Sequence, residues 1–261
     1  MKRPSLLLAT CVAVLATAAP AGAVQFATPD GDAHPQVGLV LFYDGSGNPL
    51  WRCSGVLLSP TVFLTAGHCT DGTASAQVWF SPVPITTSSG YPFTGGASFG
   101  APHTDPLFDT LPTLTMNHDL GVVVLSTPQP GPYASLAPVG TLDALSTTAA
   151  RRTARFDLVG YGLQDALPPS ILAERTRYAG QAKLVNVQSA LTGTYAVQLT
   201  GAAGTGGSVC FGDSGGPDFL AGTLQVVAVN SFLLNKQCLG AAFSARTDTA
   251  SSQAFIDSFL P

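Results

Sequence analysis

The feature that most constrains this chain is its punctuation: short apolar stretches recur along it, each closed off by Gly, Pro, Ser or Asp. One set comprises Val37–Phe42, Gly55–Leu58, Val62–Thr65, Val78–Phe80 and Leu120–Leu125. A second comprises Phe156–Val159, Ala182–Val187, Tyr195–Leu199, Leu224–Ser231 and Ala241–Ser244. Short strands at this spacing predict an all-β barrel or sandwich, and the long alternating helices of a doubly wound sheet are missing. The 28 glycines and 20 prolines supply the turns, and a hydrophobic fraction of 46% is ample for a packed core. Between the sets lies Pro128-Gln129-Pro130-Gly131-Pro132. Proline cannot donate to a strand ladder, so this segment reads as an extended connection between two β units. Ser81 to Pro112 is rich in Pro and Gly and weakly periodic, which predicts a long surface loop. Phe255, Ile256, Phe259 and Leu260 share one helical face behind Thr249, Ser251 and Ser252 as candidate caps, which predicts one short C-terminal helix.

A net charge of −4 without a run of either sign offers no phosphate-binding surface and no polybasic membrane patch, so nucleic acid is not an expected partner. The start reads as an export signal over residues 1–23. Lys2 and Arg3 precede an apolar stretch from Leu6 to Ala19, and Ala21-Gly22-Ala23 is a small-residue cleavage site that leaves Val24 as the new terminus. The apolar stretch is shorter than the roughly 20 residues that a spanning helix needs. Cys11 could suggest a lipid anchor, but Thr10 is a poor residue before a lipidated cysteine. Without Cys11, four cysteines remain, Cys53, Cys69, Cys210 and Cys238, in a chain bound for an oxidising compartment, extracellular or periplasmic. Two disulfides are expected, and three pairings are open. No Cys-x-x-Cys or His-x-x-x-His spacing favours zinc, so no metal site is expected.

The most specific segment is Cys210-Phe211-Gly212-Asp213-Ser214-Gly215-Gly216-Pro217. Glycines around one serine allow a tight turn that presents its hydroxyl beside converging backbone N–H groups, at Gly212 and Ser214, suited to a developing oxyanion. The same residues fit the looser Gly-x-Ser-x-Gly pattern of α/β-hydrolases, but there the histidine follows the serine, whereas His34, His68, His103 and His118 all precede Ser214. A serine nucleophile needs a base, and His68 is the best candidate, at the end of an apolar strand and beside Cys69. An imidazole base needs a carboxylate to fix its tautomer, and Asp119, at the mouth of the apolar run Leu120–Leu125, fits best. Asp105 and Asp109 lie in the Pro-rich loop and are expected to be solvated.

Leu64–Cys69, Asn117–Leu125 and Cys210–Pro217 resemble the three signature segments of the trypsin/chymotrypsin-like serine peptidases, in the same His, Asp, Ser order. Cys53–Leu58, Leu158–Gly162 and Val229–Phe232 add to the resemblance, which covers Val24 to Pro261. It implies two packed six-stranded antiparallel β-barrels, about 24–127 and about 139–261, with the His68–Asp119–Ser214 triad between them and a short terminal helix. It further implies Cys53–Cys69 and Cys210–Cys238 disulfides, and a place for Ser231 beside Asp119. An ion pair between the Val24 ammonium and Asp213 is implied as well, although Ala27 stands where a glycine is usual. Ser208 falls at the implied pocket floor, and Leu233 and Ala241 replace usual pocket glycines. A neutral floor with narrowed walls implies small or medium apolar side chains before the cleaved bond rather than Lys or Arg. The resemblance implies an endopeptidase acting on proteins or peptides without a cofactor; the export signal adds secretion, and a monomer is expected. A non-catalytic binding protein on the same fold is the competing expectation.

Overall fold

The structure is a computed structural model, and it describes residues 27–110, 116–166, 169, 171–201 and 206–261. The export signal and Val24 therefore lie outside the described residues. In chain order the elements are β1 (Thr28–Pro29), β2 (Val37–Tyr43), β3 (Pro49–Leu57), β4 (Val62–Thr65), helix α1 (Gly67–Thr70), β5 (Ser75–Trp79), a 3-10 turn (Thr87–Ser89), β6 (Ser98–Thr104), β7 (Asp109–Thr110), β8 (Met116–Asn117), β9 (Gly121–Leu125) and β10 (Ser135–Leu136). Helices α2 (Thr141–Leu145) and α3 (Thr148–Thr153) follow. The rest comprises β11 (Arg155–Gly160), β12 (Tyr178–Asn186), β13 (Ala196–Gly201), β14 (Pro217–Leu220), β15 (Gln225–Leu233), β16 (Gly240–Arg246) and helix α4 (Ala250–Asp257).

These strands make two closed six-stranded antiparallel barrels. The first closes in the order β2-β3-β4-β9-β6-β5. The second runs β12-β11-β14-β15-β16-β13 and closes through β12–β13, with β1 added beside β12 and β10 lying parallel to β15. Strand periodicity sends alternate residues to opposite faces. Val40, Phe42, Leu57, Phe63 and Val123 join one core cluster, while their neighbours Val37, Leu39, Val56, Leu64 and Val122 join a second that also takes Val159, Tyr161, Phe219 and Val229 from the other barrel. Both faces of these strands are thus buried, one inside the barrel and one against the rest of the molecule. That is why they read as continuous apolar runs rather than as alternating ones.

The Pro/Gly-rich segment is not a loop throughout. Residues Ser98–Thr104 form β6, which pairs with β5 and β9 and completes the first barrel. Its burial alternates, so it lacks a continuous apolar run, and Pro102 disguised it further. Strand β5 pairs only as far as Gly100, so Pro102 faces a partner on the β9 side alone, an edge position that tolerates proline. The terminal helix matches its expected caps: Thr249 accepts the Ser252 N–H, and Ile256 is buried with Phe255, Phe259 and Leu260 packed against the same cluster.

Candidate active site

His68 sits on the single turn α1, where β4 ends. The Cys53–Cys69 disulfide, with a Cα–Cα separation of 6.4 Å, ties that turn to β3. Asp119 lies between β8 and β9 and is fully buried. Its Oδ1 accepts the His68 backbone N–H at 2.6 Å, and its Oδ2 accepts both His68 Nδ1–H at 2.8 Å and the Ser231 hydroxyl. A carboxylate can only accept, so Nδ1 carries the proton and Nε2 is left with its lone pair free to act as base. Burial alone raises the Asp119 pKa, but the His68 charge, its two hydrogen bonds and the Ser231 hydroxyl outweigh it and hold the carboxyl below its ordinary value. For His68, burial pulls down and the Asp119 charge and hydrogen bond pull up, with a net upward shift.

The Ser214 turn is fixed from every side. The Cys210–Cys238 disulfide holds its start, with a Cα–Cα separation of 5.2 Å. Asp213, fully buried, accepts the N–H groups of Gly162 at 2.8 Å and Cys210 at 2.9 Å. Gly160 and Gly162 are required there, because a β-carbon at either would overlap the Asp213 carboxylate. Ser54, from the first barrel, reaches across. Its N–H donates to Ser214 O at 2.8 Å and its hydroxyl donates to Gly212 O at 2.8 Å while accepting the Tyr161 N–H at 2.9 Å. Phe211 O accepts from Leu163 N–H at 2.9 Å. In a trans peptide the N–H points opposite to the C=O, so this bond turns the Gly212 N–H the other way, with Gly212 at φ +99°, a conformation suited to glycine. Among the described residues no protein acceptor receives the N–H of Gly212 or of Ser214.

His68 and Ser214 line one cavity of about 230 Å³, together with Val209–Phe211 and the Asn230–Leu233 end of β15. Ser231 and Leu233 are therefore at this cavity. Ser208 is fully buried, its hydroxyl donating to Cys238 O at 2.7 Å, and neither Ser208 nor Ala241 is among the cavity's lining residues. Cys53, His68 and Cys69 cluster at a spacing that could suit a metal, but both sulfurs are joined in the disulfide and offer no thiolate.

Three groups escaped sequence reasoning. Asp105 is buried, not solvated, with its Oδ2 at 3.7 Å from His118 Nδ1 beneath the Tyr195 ring. Asp218, on β14, is fully buried beside Ser244, whose hydroxyl in turn meets Asn230 Oδ1 at 3.5 Å. Ser54 stood out in the sequence only as a member of Cys53–Leu58, a segment that adds to the family resemblance.

A family model described as Trypsin matches residues 30–254, nearly the whole described chain. The chain belongs to the trypsin family. Among solved structures it is similar to HL collagenase, with a TM-score of 0.66 and 16% identity over 91% of this chain and 96% of that one. It is also similar to mouse neuropsin, described as a serine protease expressed in the limbic system of the brain, with a TM-score of 0.63 and 15% identity over 88% and 96% of the two chains. No curated protein matches the sequence. At these identities the structural likeness speaks for the shared fold of two packed barrels. Membership of the trypsin family supports a peptidase whose substrates are peptides.

Proposed function

We propose that this trypsin-family chain is a secreted serine endopeptidase with His68, Asp119 and Ser214 as its triad. The observation that carries the reading is that Ser214 and an imidazole whose Nδ1–H is committed to a buried carboxylate line one cavity, while no acceptor among the described residues receives the N–H of Ser214 or of Gly212 two residues before it. In the proposed reaction Ser214 Oγ adds to a peptide carbonyl while its proton passes to His68 Nε2. The oxyanion is held by the Gly212 and Ser214 N–H groups. His68 returns the proton to the leaving amine as the C–N bond breaks. Water, deprotonated by His68, then adds to the acyl-enzyme, and Ser214 leaves with the proton.

The cavity walls favour small or medium apolar side chains before the cleaved bond: Val209, Phe232 and Leu233 line it, and the Ser208 hydroxyl is already committed to a carbonyl. The sequence of residues 1–23 and the two disulfides support export, with Val24 as the mature terminus pairing with Asp213. No helix among the described residues is long and apolar enough to cross a membrane. The deciding experiment treats native protein with a serine-reactive phosphonate and maps the adduct. Labelling at Ser214, lost in Ser214→Ala and His68→Ala, is expected. Absence of labelling in folded protein would favour a binding protein on this fold.

A further inference from the structure

The cavity beside Ser214 accounts for only one side of a cleaved peptide. His68 Nε2 lies 3.6 Å from Cys69 Sγ, so the amine that His68 protonates leaves over the Cys53–Cys69 disulfide, away from the Val209–Phe211 wall. Strand β3 lines that exit with the two residues before Cys53. The Trp51 ring is 42% exposed, and its Nε1–H is tethered to Cys69 O at 2.9 Å. Arg52 is half-buried beside Gly212, where an added β-carbon would stand 3.5 Å from its Nε.

Arg52 does not stand alone. The Tyr91 hydroxyl acts on it at close range, and Arg175 lies over the Tyr91 ring at 4.5 Å, anchored by its Nε–H to Ile85 O at 2.6 Å. Burial and the Arg175 charge push the Arg52 pKa down, against opposite pulls from Tyr91 and from Asp213. Asp213 acts on Arg52 through its charge, and its oxygens accept the N–H groups of Gly162 and Cys210. Among the described residues the arginines in ion pairs are Arg177 and Arg246, and neither Arg52 nor Arg175 meets a carboxylate.

We propose that Arg52, backed by Arg175, forms a subsite for an acidic residue on the leaving-group side of the scissile bond. The proposal rests on the peptidase reading of His68 and Ser214. Two cations held close together at partial burial repel one another, and a carboxylate entering between them relieves that repulsion and gains charge-assisted hydrogen bonds. The chain carries a net charge of −4, so its long-range field repels acidic peptides and any preference for them must arise locally.

The test uses internally quenched peptides that share one acyl half and carry Ala, Asp, Glu or Lys at the first or second position after the scissile bond. Asp or Glu at one of these positions is expected to raise kcat/KM about tenfold over Ala at low salt, with Lys below Ala, and the advantage shrinks as salt screens the charges. Arg52→Gln should bring the acidic-to-Ala ratio to about one, Arg52→Lys should keep its sign, and Arg175→Gln should reduce it. A ratio near one in the native enzyme, or one that survives Arg52→Gln, overturns the subsite while leaving the peptidase reading standing. Should Arg52→Gln not fold, the salt dependence and Arg175→Gln decide alone. If neither any peptide is cleaved nor Ser214 labelled, the peptidase reading and the subsite fall together.

Discussion

Asp218 gives the sharpest test of the physical reasoning. It projects from β14 opposite Ala228 and is fully buried, with the Ser244 hydroxyl as the polar group acting on its carboxyl. Asn230 Nδ2, on the neighbouring strand, has no hydrogen-bond partner among the described residues. Burial pushes the Asp218 pKa up to about 8, against a weaker downward pull from the Ser244 hydroxyl. In the unfolded chain the group titrates near its ordinary value of 3.8. Because the folded value is raised, the native state holds one more proton than the unfolded state between those two pH values. Its stabilising contribution is complete at acid pH and is lost as pH climbs toward the folded value. One pKa unit corresponds to about 1.4 kcal/mol, so native protein should lose about 3 kcal/mol between pH 5 and pH 7 through this group. Asp218→Asn removes the proton linkage and keeps the shape. Urea unfolding of both proteins at several pH values isolates the term, because every other titrating group cancels in the difference. The stability of Asp218→Asn minus that of the native protein should rise by about 3 kcal/mol from pH 5 to pH 7, whatever its constant offset. A difference that stays flat over that range refutes the claim that this carboxyl is buried in protonated form.

Three further outcomes are expected. Ser54→Ala removes the hydroxyl that fixes Gly212 O, so kcat should fall about tenfold with KM little changed, and a peptide boronate should weaken in parallel, whereas a non-covalent inhibitor of the same pocket should not. Native activity should rise with pH through a midpoint above 6.5, because the Asp119 charge overrides burial and lifts the His68 pKa, and catalysis needs that ring neutral; Asp119→Asn should move the midpoint down and cost kcat on the order of 10⁴. Reducing Cys53–Cys69 or Cys210–Cys238 should cost about 2–5 kcal/mol per bridge, and peptide mapping of unreduced protein should recover those two pairs.

What the sequence determined by itself was whatever leaves a local imprint. Double-sided burial turned β2, β4 and β9 into unbroken apolar runs, and the helix cap at Thr249 needs only its own neighbours. The proposed triad residues His68, Asp119 and Ser214 each stood out in the sequence because a polar group capable of such chemistry sat against a strand end or among glycines that nothing else explained. Strand β6 was illegible because one of its faces meets solvent and Pro102 mimics a turn. Tertiary structure alone decided the rest, through pairs far apart along the chain. The Ser54 hydroxyl meets Gly212 O across 158 positions, and Arg52 meets Gly212 across a similar interval. Asp105 is closed off from water beside His118, although its own surroundings in sequence are polar and Pro-rich. Asp218 follows a Gly-Gly-Pro turn that looks solvent-facing, and only the closing of β14 between β11 and β15 takes its carboxyl out of water. Burial of a polar side chain depends on which distant strands cover it, and no neighbouring residue records that.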